Sequence, residues 1–184
     1  MKKQTLALAL ILGLTSGAAF AKDDYSGFRV GVGAVSGQKS AIDADAKVSK
    51  PTAKIEAGYD FNRVFSVNGS ITDQRGETGS YKMKGNEAKL EGEVGYAFNV
   101  GQGWDIKPYV AAGVAHSNGT IEIAGEPDRV RGTTLSTAAG VRLTTPIGIY
   151  VDGRVQKNQL SKQQKRESRF TDSSQAAVSV GFKF

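Results

Sequence analysis

SQAAVSVGFKF, Ser174 to Phe184, is the stretch that decides the fold. Ala176, Val178, Val180, Phe182 and Phe184 share one face and Gln175, Ala177, Ser179, Gly181 and Lys183 the other. That two-residue period belongs to a β-strand with one apolar side. The run ends on an aromatic residue with the pattern unbroken. Left as a free edge, such a strand would pair with other chains, so it points to a sheet that closes on itself.

Working back from it, the same alternation recurs. Apolar positions are Phe28, Val30, Val32 and Ala34 within Gly27 to Val35; Ala53, Ile55, Ala57, Tyr59 and Phe61; Phe65, Val67, Gly69 and Ile71 within Val64 to Thr72; and Ala88, Leu90, Gly92, Val94, Tyr96 and Phe98. The second half continues with Ile106, Pro108, Val110, Ala112 and Val114, then Leu135, Thr137, Ala139, Val141 and Leu143, then Ile149, Val151, Gly153 and Val155 up to Gln156. With the terminal strand this gives an all-β chain of eight strands. Pro108 cannot donate to a ladder and is expected at a strand end or a bulge. The connections alternate in length. Asn62-Arg63, Asn99 to Gly103 and Thr145 to Gly148 are short, whereas Gln38 to Thr52, Asp73 to Glu87, Ser117 to Arg131 and Lys157 to Ser173 are long and polar. Short turns at one end and long loops at the other predict an eight-stranded antiparallel up-and-down transmembrane β-barrel.

The start of the chain supports export. Lys2 and Lys3, the apolar run Leu6 to Leu14 and Ala19-Phe20-Ala21 read as a signal peptide over 1–21, cleaved after Ala21, followed by one barrel domain over 22–184. Loss of the two lysines would take the formal charge from +6 to +4. The chain has no cysteine, which removes disulfides, thiol nucleophiles and thiolate metal sites.

Alternation does not say which face points outward, because a soluble lipocalin-like barrel would turn the apolar face in. Three features favour apolar-out. Aromatic residues cluster beside the short turns: Phe61 and Phe65 at the first, Phe98 and Trp104 at the second, with Phe182 and Phe184 at the same end. They make the girdle of a membrane interface. The other face mixes small residues with charges of both signs, which suits a cramped interior. The closed sheet, finally, removes the edge that Phe184 would otherwise expose.

In that orientation the interior holds Arg29, Lys54, Lys89, Lys107, Arg142, Arg154 and Lys183 with Glu56, Asp60, Glu91, Glu93 and Asp152. Buried charges persist when paired, so a plugging network is expected, drawn from Arg29, Lys54, Glu56, Lys89, Glu91, Glu93, Arg142, Asp152 and Arg154. Its centre is expected in Glu56, Glu91 and Glu93 with Arg29, Lys89, Arg142 and Arg154. The alternative is a small ion-conducting pore, disfavoured because eight strands leave a bore that side chains fill.

The signal peptide, the strand end Gly95-Tyr96-Ala97-Phe98, the run Pro108 to Val114 and the ending Val178 to Phe184 together resemble the small eight-stranded outer-membrane barrels, the OmpX/Ail group and the transmembrane domain of OmpA. The resemblance implies residence in the outer membrane of a Gram-negative bacterium and a non-enzymatic role in envelope structure and surface interaction. It also implies that Val178, Val180, Phe182 and Phe184 carry the signal read by the outer-membrane assembly machinery.

Enzymatic chemistry finds little support. The single histidine precedes a serine, His116-Ser117, whereas lipid A deacylase barrels carry their pair two residues apart. Adjacent strand residues face opposite ways, so no catalytic pair is expected. One histidine also makes a poor metal site, and no cofactor is expected. Gly31-Val32-Gly33 precedes no helix and so makes no phosphate cradle. The fourth long loop carries Lys157, Lys162, Lys165, Arg166 and Arg169 against Glu167 and Asp172, a candidate surface for lipopolysaccharide phosphates, a sulfated glycan or an acidic host protein. The expected partners are therefore outer-membrane lipid and lipopolysaccharide, the assembly machinery and a host surface protein or glycan. Nucleic acid is not among them, and the barrel is expected to be a monomer.

Overall fold

The computed structural model describes residues 25–36, 51–78, 81–123, 126–159 and 173–184. The leader expected over 1–21 lies outside the described residues. The strands are β1 (Gly27–Val35), β2 (Thr52–Asp60), β3 (Phe65–Thr78), β4 (Tyr81–Gly95), β5 (Phe98–Gly101), β6 (Trp104–Ile123), β7 (Glu126–Thr144), β8 (Ile149–Gln159) and β9 (Ser173–Lys183). Apart from β4 and β5, each strand pairs antiparallel with its sequence neighbour, β9 returns to β1, and β4 pairs with β6. The sheet is thereby closed. Because β5 continues β4 after a two-residue interruption, the wall has eight staves.

The registers fix the shape. Ile149 pairs with Phe182, then the path runs through Val30, Ala57, Gly69, Leu90, Val114 and Leu135 and re-enters β8 at Gln159, ten residues further along. With a rise of about 3.3 Å per residue and strands about 4.8 Å apart, that stagger tilts the strands about 40° from the axis. A closed, tilted wall satisfies its backbone groups internally, which is the condition for crossing lipid with strands.

Outward and inward faces separate cleanly. Val94, Val110 and Val180 are 48%, 60% and 49% exposed, whereas Glu91 and Arg142 are 1% exposed. The apolar face therefore looks out and the charged face in. The aromatic girdle stands at the short-turn end, with Tyr59 against Phe61 (ring centroids 5.2 Å apart) and Tyr96 against Phe98 (4.9 Å). Toward the long-connection end the outward positions turn polar, with Asp73, Asn86, His116, Asn118, Arg131 and Thr133 all exposed.

Local chemistry sets the turns. The Asn62 carboxamide oxygen accepts from the N–H groups of Val64 and Phe65, each at 2.8 Å, bending β2 into β3. Gly148 has φ of 83° and closes the β7–β8 turn where a side chain would meet the Lys183 carbonyl.

Two expectations need correction. Asp73 to Glu87 and Ser117 to Arg131, expected as loops, are mostly the paired arms of β3–β4 and β6–β7, with Thr78 opposite Tyr81 and Ile123 opposite Glu126. Both arms extend past the apolar band, where neither face needs to be greasy. The fourth strand, expected to run unbroken to Phe98, is interrupted at Tyr96 and Ala97. Pro108 explains the break. Its carbonyl accepts from the Tyr96 N–H at 3.3 Å, so its missing donor faces the same side, where the ladder lapses.

Candidate functional site: the charged interior

The inward face of every stave contributes to one polar column. Its innermost layer, near the short turns, is centred on Arg142 of β7. The Arg142 guanidinium donates to both carboxylate oxygens of Glu93 at 3.0 Å and pairs with Asp152 at 3.0 Å and Asp60 at 3.8 Å. The planar, forked shape of arginine makes this bridging possible. The Tyr109 ring lies 4.9 Å from the same guanidinium, and its hydroxyl donates to Asp152 at 2.8 Å.

Asp60 gathers more cations than any other interior carboxylate: Lys183 at 2.9 Å, Arg29 at 3.2 Å, and Lys107 and Arg142 at 3.8 Å. Arg29 also reaches Glu93 at 3.2 Å. Below this layer Tyr25 covers the mouth. It is buried, its carbonyl accepts from the Lys183 ammonium at 2.6 Å, and that ammonium stands 3.4 Å from the ring centre. Burial, then the charge of Asp60, raises the Tyr25 phenol above its ordinary pKa.

Higher in the column, Lys54 pairs with Glu56 at 2.5 Å, and Glu56 accepts from the Tyr150 hydroxyl at 2.9 Å. Glu91 pairs with Arg154 and accepts from Ser136 at 2.7 Å. At the outer end Lys89 pairs with Glu87 at 3.0 Å, and Asn158 donates to Glu87 at 2.9 Å.

All nine residues singled out from the sequence are buried in this column. Their pairing departs from the expected centre in one respect: Lys89 meets Glu87, while Glu56 takes Lys54. Sequence reasoning left Asp60, Lys107 and Lys183 outside the network and missed Glu87, Tyr109 and Tyr150. The inward register of Asp60, Lys107, Lys183, Tyr109 and Tyr150 was the available signal, with Tyr150 two residues from Asp152. Glu87 was hidden because its segment read as a loop.

The remaining candidates lie elsewhere. Val178, Val180, Phe182 and Phe184 form an outward strip on and just past β9. Lys157 faces outward near the end of β8, and Lys162, Lys165, Arg166 and Arg169 lie outside the described residues. His116 is exposed and contacts Thr133 through Nδ1 at 2.9 Å, whereas the Ser117 hydroxyl donates inward to Glu87 at 3.4 Å. They point to opposite faces of the wall, which does not build a serine–histidine couple. Among the described residues there is no group of three or more His, Asp or Glu placed to hold a metal.

The model of the outer membrane protein beta-barrel domain family matches residues 6–184. No curated relative matches by sequence. Among solved structures, the chain is similar to the N-terminal β-barrel domain of Pseudomonas aeruginosa OprF, with TM-score 0.60 and 18% identity over 85% of this chain and 97% of that one. It is similar to Neisserial surface protein A, with TM-score 0.58 and 17% identity over 85% and 95%. It is also similar to Ail, the attachment invasion locus protein of Yersinia pestis, with TM-score 0.55 and 17% identity over 86% and 97%; Ail has also been solved in complex with the heparin analogue sucrose octasulfate.

Proposed function

We infer that this chain, which belongs to the outer membrane protein beta-barrel domain family and resides in the outer membrane, is a non-enzymatic barrel with a plugged interior that serves envelope structure and surface contacts. The observation that carries the plug is Arg142 holding Asp60, Glu93 and Asp152 across the lumen, with Tyr25 stacked beneath. Water or an ion would have to displace paired charges in a confined, low-dielectric space, which is costly. Reconstituted into planar bilayers, the protein is expected to give no sustained conductance. Large, stable, uniform current steps would overturn the plug and favour the pore.

The surface contact is assigned to the fourth long loop. Its cations could meet sulfates on a glycan by charge-assisted hydrogen bonds, and the Ail complex with a sulfated sugar supports that chemistry in a protein of the same fold. Replacing Lys162, Lys165, Arg166 and Arg169 with Gln, leaving Lys157 in place, is expected to shift heparin-column elution to about half the salt concentration, since each lost cation removes a screened contact. Unchanged elution would end the reading. The strip Val178, Val180, Phe182 and Phe184 is assigned the further role of presenting the strand to the assembly machinery.

A further inference from the structure

The charges of the interior column do not balance. In its upper part Lys54, Arg154 and Lys89 each have a carboxylate of their own, in Glu56, Glu91 and Glu87. In the innermost layer, among the described residues, four inward cations face three carboxylates: Arg29, Lys107, Arg142 and Lys183 against Asp60, Glu93 and Asp152. At the rim Arg63 stands 3.9 Å from Asp105, so that pair adds nothing to the balance. One positive charge in the layer is left over.

Lys107 is the cation on which the surplus falls. Arg142 has Glu93 and Asp152 at 3.0 Å, Arg29 has Asp60 and Glu93 at 3.2 Å, and Lys183 has Asp60 at 2.9 Å. Lys107 is fully buried, yet its nearest carboxylate, Asp60, is 3.8 Å away. Among the described residues its hydrogen bond goes to the neutral Ser66 hydroxyl, at 2.5 Å, although an ammonium has three N–H groups to place. The same layer holds further buried donors without a hydrogen-bond partner among the described residues: the Tyr25 hydroxyl, Arg29 Nη1 and Arg142 Nε. The Tyr25 ring centre lies 5.6 Å from Lys107 Nζ. Surplus positive charge and unmet donors in one enclosed place are both costly, and a single species, an anion, relieves both.

We propose that the inner layer is an anion site: one chloride ion, held between the Lys107 ammonium and the Tyr25 hydroxyl, completes its charge. A surplus of one calls for a monovalent ion, whereas phosphate or sulfate would bring charge in excess. The site is closed by the buried Tyr25 ring and bounded by Asp60, which suits a compact ion and keeps it on the side of the ammonium away from that carboxylate. The part-exposed Arg63 guanidinium, 5.6 Å from the Tyr25 ring centre, marks the way in from the short-turn end.

The test is urea unfolding of the full-length protein in lipid vesicles, in sodium chloride and in sodium gluconate at equal ionic strength, gluconate being too large for the site and screening alike. For a dissociation constant of about 10 mM, 100 mM chloride is expected to raise the folded-to-unfolded ratio of the wild type about tenfold over gluconate. Lys107→Met, which removes the surplus charge, is expected to fold equally well in both salts. Tyr25→Phe, which keeps the ring and loses the hydroxyl, is expected to need about tenfold more chloride for the same gain, the effect of one hydrogen bond to a charged group. Wild-type crystals soaked in sodium bromide are expected to show an anomalous peak within hydrogen-bond reach of Lys107 Nζ. Identical wild-type midpoints in the two salts overturn the proposal and leave the surplus to loss of the Lys107 proton. A wild-type chloride response retained in either variant overturns it too, as does bromide found at the protein surface alone.

Discussion

Replacing Arg142 with methionine is expected to cost the barrel about 3–5 kcal/mol, the range for removing one partner from a buried ion pair and leaving the other uncompensated. The effect should reach the top of that range because Arg142 holds three carboxylates, with Glu93 bound bidentately. Without it Asp60 keeps Arg29, Lys107 and Lys183, but among the described residues Asp152 is left with the Tyr109 hydroxyl. The measurement is urea unfolding in lipid vesicles followed by the fluorescence of Trp104, the sole tryptophan, which sits in the girdle. Combining Arg142→Met with Glu93→Gln and Asp152→Asn should recover most of the loss, since neutralising a whole buried cluster is far milder than stranding half of it. An unchanged midpoint in Arg142→Met alone would show that the column contributes nothing to stability.

Gly181→Val is the second large effect, and it acts on closure. Gly31 of β1 and Gly181 of β9 face each other across the seam, and the fully buried Tyr150 ring lies over both on its way to Glu56. A Cβ on Gly181 would meet the Val30 carbonyl, the Gly31 Cα and the Tyr150 ring. The first two are backbone, so repacking a side chain does not relieve the overlap. The folded fraction on unboiled gels is expected to fall by about tenfold or more, in keeping with a forced backbone shift in a packed interior. Gly153→Val, the same change on the same wall where nothing stands in the way, should fold as the wild type does. Equal folding of the two variants would show that the seam tolerates bulk.

How much of this could be read from residues alone varies with what each segment touches. Between hydrocarbon and a charged lumen, a strand must alternate, and Ala88 to Val94 and Ser174 to Phe184 announce both their period and their faces. Beyond the bilayer that pressure vanishes. Asp73 to Thr78, Tyr81 to Glu87, Ser117 to Ile123 and Glu126 to Arg131 are nevertheless paired strands, held by their ladders, so their composition resembles a loop. The interior list was readable for the same reason as the strands, because a lysine or glutamate at an inward position has nowhere else to go. Its wiring was not. Which cation meets Asp60 depends on the ten-residue stagger around the barrel, and that stagger is a property of all the pairings at once. The interruption after Gly95 shows the same limit, since the alternation runs on through Tyr96 and Phe98 while the cause lies on the neighbouring strand at Pro108.

Lys183 reaches Tyr25 and Asp60 from the last strand, and it does so only when β9 lies against β1 in the native register. Slide that strand by one residue and the ammonium swings from the lumen into oil. The stopper at the inner mouth is therefore also a gauge: the floor of the vessel can be laid only by a chain whose walls already meet true.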